Sequence, residues 1–193
     1  MELVLQWRGP VGPGLFPGDI DGREALSAAG VYLRVKPYES GRLVGYVGQS
    51  KNLLQRFDQH LTQILSLNVP LRDETGLPVD TGDRLSLLNA LGESGPLALA
   101  EARRTRFFFA RAEDGFDADY LTLLEAVLKE RADAMLGGAC ENVQTIAAGA
   151  FDHDLDVIHD FSLLNADGLA TIQSVIGADP IRIPAAQEFD HAG

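Results

Sequence analysis

Cysteine is nearly absent from this chain of 193 residues: Cys140 stands alone, which excludes an internal disulfide and any multi-cysteine zinc site and leaves a buried structural thiol as the simplest reading. Long apolar runs are missing too. No stretch of about 18 or more apolar residues occurs, so no membrane partner is expected. The opening Met1-Glu2-Leu3-Val4-Leu5-Gln6-Trp7-Arg8-Gly9 lacks the charged-then-apolar order of a secretion signal, and a cytoplasmic location is expected. Basic residues are scarce as well: 16 Lys and Arg against 28 Asp and Glu give a net charge of −12, a poor match for a polyanionic partner. No internal repeat is present, and the length suits one elaborated α/β domain.

The acidic excess is uneven, because residues 151–193 carry eight acidic side chains against the single basic residue Arg182. Between positions 31 and 56 the sign reverses: Arg34, Lys36, Arg42, Lys51 and Arg56 face only Glu39. A locally basic surface is what an anionic ligand would meet first.

Glu2 to Trp7 can form a strand, and the Gly/Pro-dense stretch from Gly9 to Gly18 predicts a loop or arm, since neither a helix nor a central strand tolerates it. Val31 to Lys36 and Arg42 to Val47 are β-branched and aromatic runs joined by Pro37-Tyr38-Glu39-Ser40-Gly41, which predicts a hairpin. Ser50 is a candidate cap for the helix that follows, on which Leu53, Leu54, Phe57, Leu61, Ile64 and Leu65 share an arc and Arg56 and His60 lie together on its flank. Residues 66–102 read as an insertion with a short helix from Asp83 to Leu91, capped near Thr81 or Asp83. Arg106 to Ala112 predicts a third strand, and Ala118 to Leu136 a helix capped by Asp117 or Asp119 and stopped by Gly137-Gly138. The acidic end predicts at most a helix from Leu169 to Ile176, with a disordered terminus. Asp152 to Asp160 fails as a calcium loop, because Val157 stands where the glycine belongs and Leu163 where the bidentate glutamate belongs; a solvated acidic stretch is the simpler reading.

Gly30-Val31-Tyr32, then Tyr46-Val47-Gly48-Gln49-Ser50-Lys51-Asn52-Leu53, Arg56, His60, Glu125 and Asn142 resemble the motif series of the GIY-YIG nuclease superfamily, over about residues 28–146. The resemblance implies an α/β (α+β) fold: a small three-stranded antiparallel sheet flanked by helices. Here it would carry a helical insertion at about 66–102, an N-terminal strand and Gly/Pro-rich arm over 1–27, a nuclease-like domain over 28–150 and an acidic extension over 151–193. It further implies a metal-dependent endonuclease whose partner is nucleic acid, DNA foremost. In that scheme Glu125 ligates Mg2+ or Mn2+, Arg56 pairs with the scissile phosphate, and Tyr32 or Tyr46 takes a proton from the attacking water. His60 relays that proton or binds phosphate, and Asn142 fixes the loop beside the Glu125 helix. Gly30 and Gly48 serve structure, through close backbone approach or unusual φ.

Taken singly, each residue has a plainer role. The tyrosines suit half-buried hairpin positions, Arg56 and His60 suit a helix surface, Glu125 can pair with Lys129 at i,i+4, and Asn142 suits a turn. Gln49 stands where some relatives carry lysine, which leaves Arg34, Lys36 or Lys51 as substitutes for a second phosphate cation. Arg103, Arg104, Arg106 and Arg111, bracketing the third strand, can contact phosphates or balance nearby acids. A catalytically silent binding or regulatory module on the same fold is the alternative, as is an acidic tail that mimics nucleic acid.

Overall fold

The computed structural model describes residues 1–80, 82–111, 118–141 and 153–185. Within these, six strands and six helices follow in the order β1 (Glu2–Val11), α1 (Ile20–Ser27), β2 (Gly30–Pro37), β3 (Leu43–Ser50), α2 (Leu53–Leu65), α3 (Arg84–Asn89), α4 (Leu91–Arg104), β4 (Arg106–Arg111), α5 (Ala118–Met135), β5 (Leu155–Asp160), α6 (Ala166–Ile176) and β6 (Ile181–Ile183).

The strands form one mixed sheet in the order β3-β2-β4-β1-β5-β6. This corrects the expected small three-stranded antiparallel sheet. The expected strands are present as the antiparallel ladder β3-β2-β4, but β1 pairs antiparallel with the free edge of β4, β5 runs parallel to β1, and β6 closes on β5. An exposed edge of β4 would have left a row of unpaired backbone groups; β1 covers it, and β5 in turn covers β1.

Two sequence signals account for the difference. In the acidic end, charge hides a period of two: Leu155 and Val157 are buried in the main core while Asp154 and Asp156 point outward, so the stretch read as solvated is a core strand. At the N-terminus the Gly/Pro stretch did not exclude a central strand. β1 continues through Gly9 and Pro10 to Val11 by means of a register shift between Arg8 and Val11, an irregularity that accommodates a residue without an N–H.

Strand alternation divides the side chains into two cores. Val31, Leu33 and Val35 of β2 and Phe108 and Ala110 of β4 meet Leu121, Leu124 and Leu128 of α5 and Ile172, Val175 and Ile176 of α6. On the opposite face Tyr32, Phe107 and Phe109 meet Ala25 and Leu26 of α1 and Leu53 and Phe57 of α2. A third cluster, Leu67, Leu71, Leu87 and Ala98, holds the insertion together.

The helix boundaries follow their caps. Asn52, rather than Ser50, caps α2 by accepting from Gln55 N, while Ser50 ends β3. Asp83 caps α3, and Asn165 starts α6 three residues earlier than the apolar pattern indicated. Thr81, Ala112, Asp117, Asn142 and Asp152 lie outside the described residues. Among the described residues no helix is long and apolar enough to cross a membrane.

Candidate functional site

Tyr32 sits in the centre of β2 and is fully buried on the α2 face, directly opposite Gly48 of β3. A Cβ at position 48 would lie 2.5 Å from Tyr32 Cζ, so only glycine leaves room for the ring. Gly30 is dictated in the same way: a Cβ there would overlap the Ala110 carbonyl of the paired β4. The two sequence glycines are therefore consequences of strand pairing. The same ladder sets Tyr46 opposite Arg34, which brings the Tyr32 and Tyr46 rings into a stacked pair with centroids 6.1 Å apart.

From α2, Arg56 and His60 converge on this pair. His60 Nε2 lies 2.6 Å from Tyr32 Oη, and Arg56 Nε donates to the same oxygen at 3.1 Å. Arg56 Nη1 also donates to Gln59 Oε1 at 3.1 Å, and Tyr46 lies close enough to interact with its charge. His60 is not the flank residue expected from the helical wheel: it is buried between the two tyrosine rings and Phe107. Its second nitrogen, Nδ1, accepts from Arg34 Nη1 at 2.7 Å. Because a guanidinium only donates, Nδ1 is bare and Nε2 carries the proton that reaches Tyr32. Burial, and then the neighbouring charges of Arg34, Arg56 and Lys36, lower the His60 pKa to about 2, so the ring is neutral.

The two phenols differ. Tyr32 is enclosed, and burial pushes its ionisation far above the ordinary tyrosine range despite the two donors on its oxygen. Tyr46 is only half-buried and is the phenol that reaches solvent.

Arg34 and Lys36, candidates for a second phosphate cation, are not available to a ligand. Both are buried, Arg34 against Glu141 and Lys36 against Glu101 at 3.0 Å and Glu141 at 3.5 Å, and Arg72 completes the network at 3.3 Å from Glu141. Tyr38 of the hairpin turn donates to Glu101, which fastens the insertion to the sheet. Sequence reading missed this cluster because its members are spread from position 34 to position 141, and only the pairing of β2 with α4 and the α5–β5 connection joins them. Lys51 remains exposed.

Glu125 lies on the other side of the sheet edge. It belongs to α5, which packs on the face formed by Val31, Leu33, Val35 and Val47, and it lies beside Gln49, the next residue of β3 on that face, whose amide favours its charged form. The Gln49 amide also donates to Thr122 Oγ1 at 3.0 Å, one turn before Glu125. Thus Tyr32, Tyr46, Arg56 and His60 form one connected cluster on the α2 side of the sheet, whereas Glu125 stands on the α5 side and is joined to that cluster only through the charge of Arg56. Burial raises the Glu125 carboxyl above its usual range, and a bound cation would reverse that shift. Among the described residues no three His, Cys, Asp or Glu side chains gather; Mg2+, which keeps several waters and is commonly held by one or two carboxylates, is the ion that Glu125 would suit. Lys129 Nζ is buried nearby without a hydrogen-bond partner among the described residues. Asn142, expected to steady the loop beside α5, lies outside the described residues, although its neighbour Glu141 is anchored by the β2 cations.

In comparisons with family models, curated proteins and solved structures, none matches the chain.

Proposed function

We propose that the chain is a metal-dependent endonuclease of the GIY-YIG type, hydrolysing nucleic-acid phosphodiester bonds with DNA as the foremost substrate. One observation carries the reading: β2–β3 register and α2 bring Tyr32, Tyr46, His60 and Arg56 into a single hydrogen-bonded and ring-packed cluster at a sheet edge. Ordinary packing does not call for a buried phenol that accepts from both an imidazole and a guanidinium, since each polar group so enclosed must be satisfied at a cost.

Arg56 is the group for the scissile phosphate. Tyr32 and Gln59 orient its fork, and the guanidinium has more donors than its protein partners use, so it can bind phosphate oxygens and stabilise the charge that grows on them. Tyr46, half-buried and beside Arg56, is the phenol positioned to meet the attacking water; Tyr32 keeps its proton and orients. Glu125 would hold the divalent cation, which when bound supplies Lewis-acid stabilisation and lowers the pKa of water. His60, neutral and buried, acts through Tyr32 rather than on substrate.

The test is cleavage of supercoiled plasmid, single-stranded DNA and RNA with Mg2+, Mn2+ or EDTA. Wild type cleaves with metal only, and Arg56→Ala and Glu125→Gln lose on the order of 10²- to 10³-fold in rate while keeping the native circular-dichroism spectrum. Equal cleavage by wild type and Glu125→Gln overturns the reading. Binding without cleavage would favour a silent module, for which the net charge of −12 and the internal neutralisation of Arg34 and Lys36 are the arguments.

A further inference from the structure

Arg34 belongs to none of the motif positions, yet it touches two members of the cluster and is held from behind. Its Nη1 donates to His60 Nδ1 at 2.7 Å, its guanidinium lies over the Tyr46 ring at 4.8 Å, and its Nη2 is paired with Glu141. Arg34 Nε is buried with no hydrogen-bond partner among the described residues, so within them the side chain leaves one donor unsatisfied to keep these contacts. Glu141 is in turn fixed by Lys36 and Arg72. We infer that Arg34 is a positioning residue of the proposed nuclease: it fixes His60 as the neutral tautomer with its proton on Nε2, so that Tyr32 Oη is a double acceptor that clamps Arg56. The inference rests on the proposed function for its catalytic consequence, but not for the tautomer itself.

The physical logic is that of a donor with no alternative. A carboxylate or carbonyl at Nδ1 would place the proton there and leave Nε2 bare toward Tyr32, reversing the polarity of the chain; a guanidinium permits only one order. Around His60 stand Tyr32, Arg34 and Lys36 from β2, Tyr46 from β3, Phe107 from β4 and Arg56 from its own helix. The nearest carboxylates are spoken for, Glu141 by Arg34, Lys36 and Arg72, and Glu101 of α4 by Lys36, Tyr38 and Arg104. Among the described residues the charged groups facing the ring are cations, and none is placed to accept a proton from Nδ1.

The experiment is side-chain nitrogen NMR of the histidines in the full chain, with His60 assigned by its loss in His60→Gln, followed from about pH 7.5 to about pH 5. Wild type shows a bare Nδ1 and a protonated Nε2 throughout. In Arg34→Met the fixed tautomer is lost and an imidazolium signal grows in toward the acid end, while Arg34→Lys, which can still donate to Nδ1, retains the neutral form. In parallel, Arg34→Met lowers kcat for plasmid cleavage at least tenfold with a smaller change in KM, and Arg34→Lys restores part of it. A wild-type ring protonated on Nδ1, or a His60 spectrum unchanged in Arg34→Met, overturns the assignment. A lost tautomer with unchanged kcat overturns the catalytic part alone, and the expected tautomer in a protein that cleaves nothing overturns the nuclease reading while the Arg34–His60 assignment stands. Should Arg34→Met fail to fold, the wild-type spectrum and Arg34→Lys still decide the tautomer.

Discussion

Acid should destabilise this protein earlier than carboxylate titration alone would, because two histidines, His60 foremost, are held neutral in the fold. In the unfolded chain the imidazole takes up a proton near pH 6.5, whereas in the folded state it stays neutral to about pH 2, because burial and three nearby cations oppose its charge. The unfolded state thus binds the extra proton over that whole window, and stability is full above about pH 6.5 and falls as pH drops below it. Between about pH 6.5 and 4.5 the loss from His60 is on the order of 2 kcal/mol, a figure that requires only that the folded ring remain neutral there. His159, whose Nδ1 accepts from Trp7 Nε1 at 3.1 Å and whose pKa burial lowers to about 4, adds a loss of the same sign and similar size. Glu125 works the other way, since its raised pKa removes stability as pH rises above its ordinary value, and Glu141, with a lowered pKa, contributes its loss only below the usual glutamate range. Urea unfolding of wild type and His60→Gln at several pH values separates these effects, because everything except His60 cancels in the comparison. The wild-type free energy should fall more steeply by on the order of 2 kcal/mol over the window. Parallel pH profiles for the two proteins would show that the folded imidazole charges normally, and would refute the burial argument.

Further expectations follow from the packing. Gly48→Ala drives a methyl into the Tyr32 ring, which Phe57 and Phe107 hold in place at centroid distances of 5.4 and 6.5 Å, so it should cost about 1–3 kcal/mol in urea unfolding, and a change below about 0.5 kcal/mol would mean that the ring can yield. Leu155→Ala should cost about 2–5 kcal/mol, because this fully buried side chain of β5 lies in the main core; a cost under about 1 kcal/mol would return the acidic end to the status of an appendage.

What the sequence determined by itself was local. The β-branched runs around Pro37-Tyr38-Glu39-Ser40-Gly41, the amphipathic arc of α2 and the glycine stop after α5 are short-range signals, and β2, β3, α2, β4 and α5 lie where those signals put them. The motif residues Tyr32, Tyr46, Arg56 and His60 were legible for the same reason, since one hairpin and the helix behind it carry them all. The tertiary structure decided what long-range pairing decides. β1 and β5 are brought together from opposite ends of the chain, and nothing local in a strand of alternating acids and aliphatics tells whether its apolar side will find a core. Burial was likewise out of reach: a histidine on the flank of a helical wheel becomes an enclosed neutral ring only because two strand tyrosines and Phe107 close over it. The two cations of β2, which by sequence suit a phosphate, are neutralised by glutamates more than sixty residues away, a pairing that exists only once the sheet has set α4 and Glu141 against the hairpin.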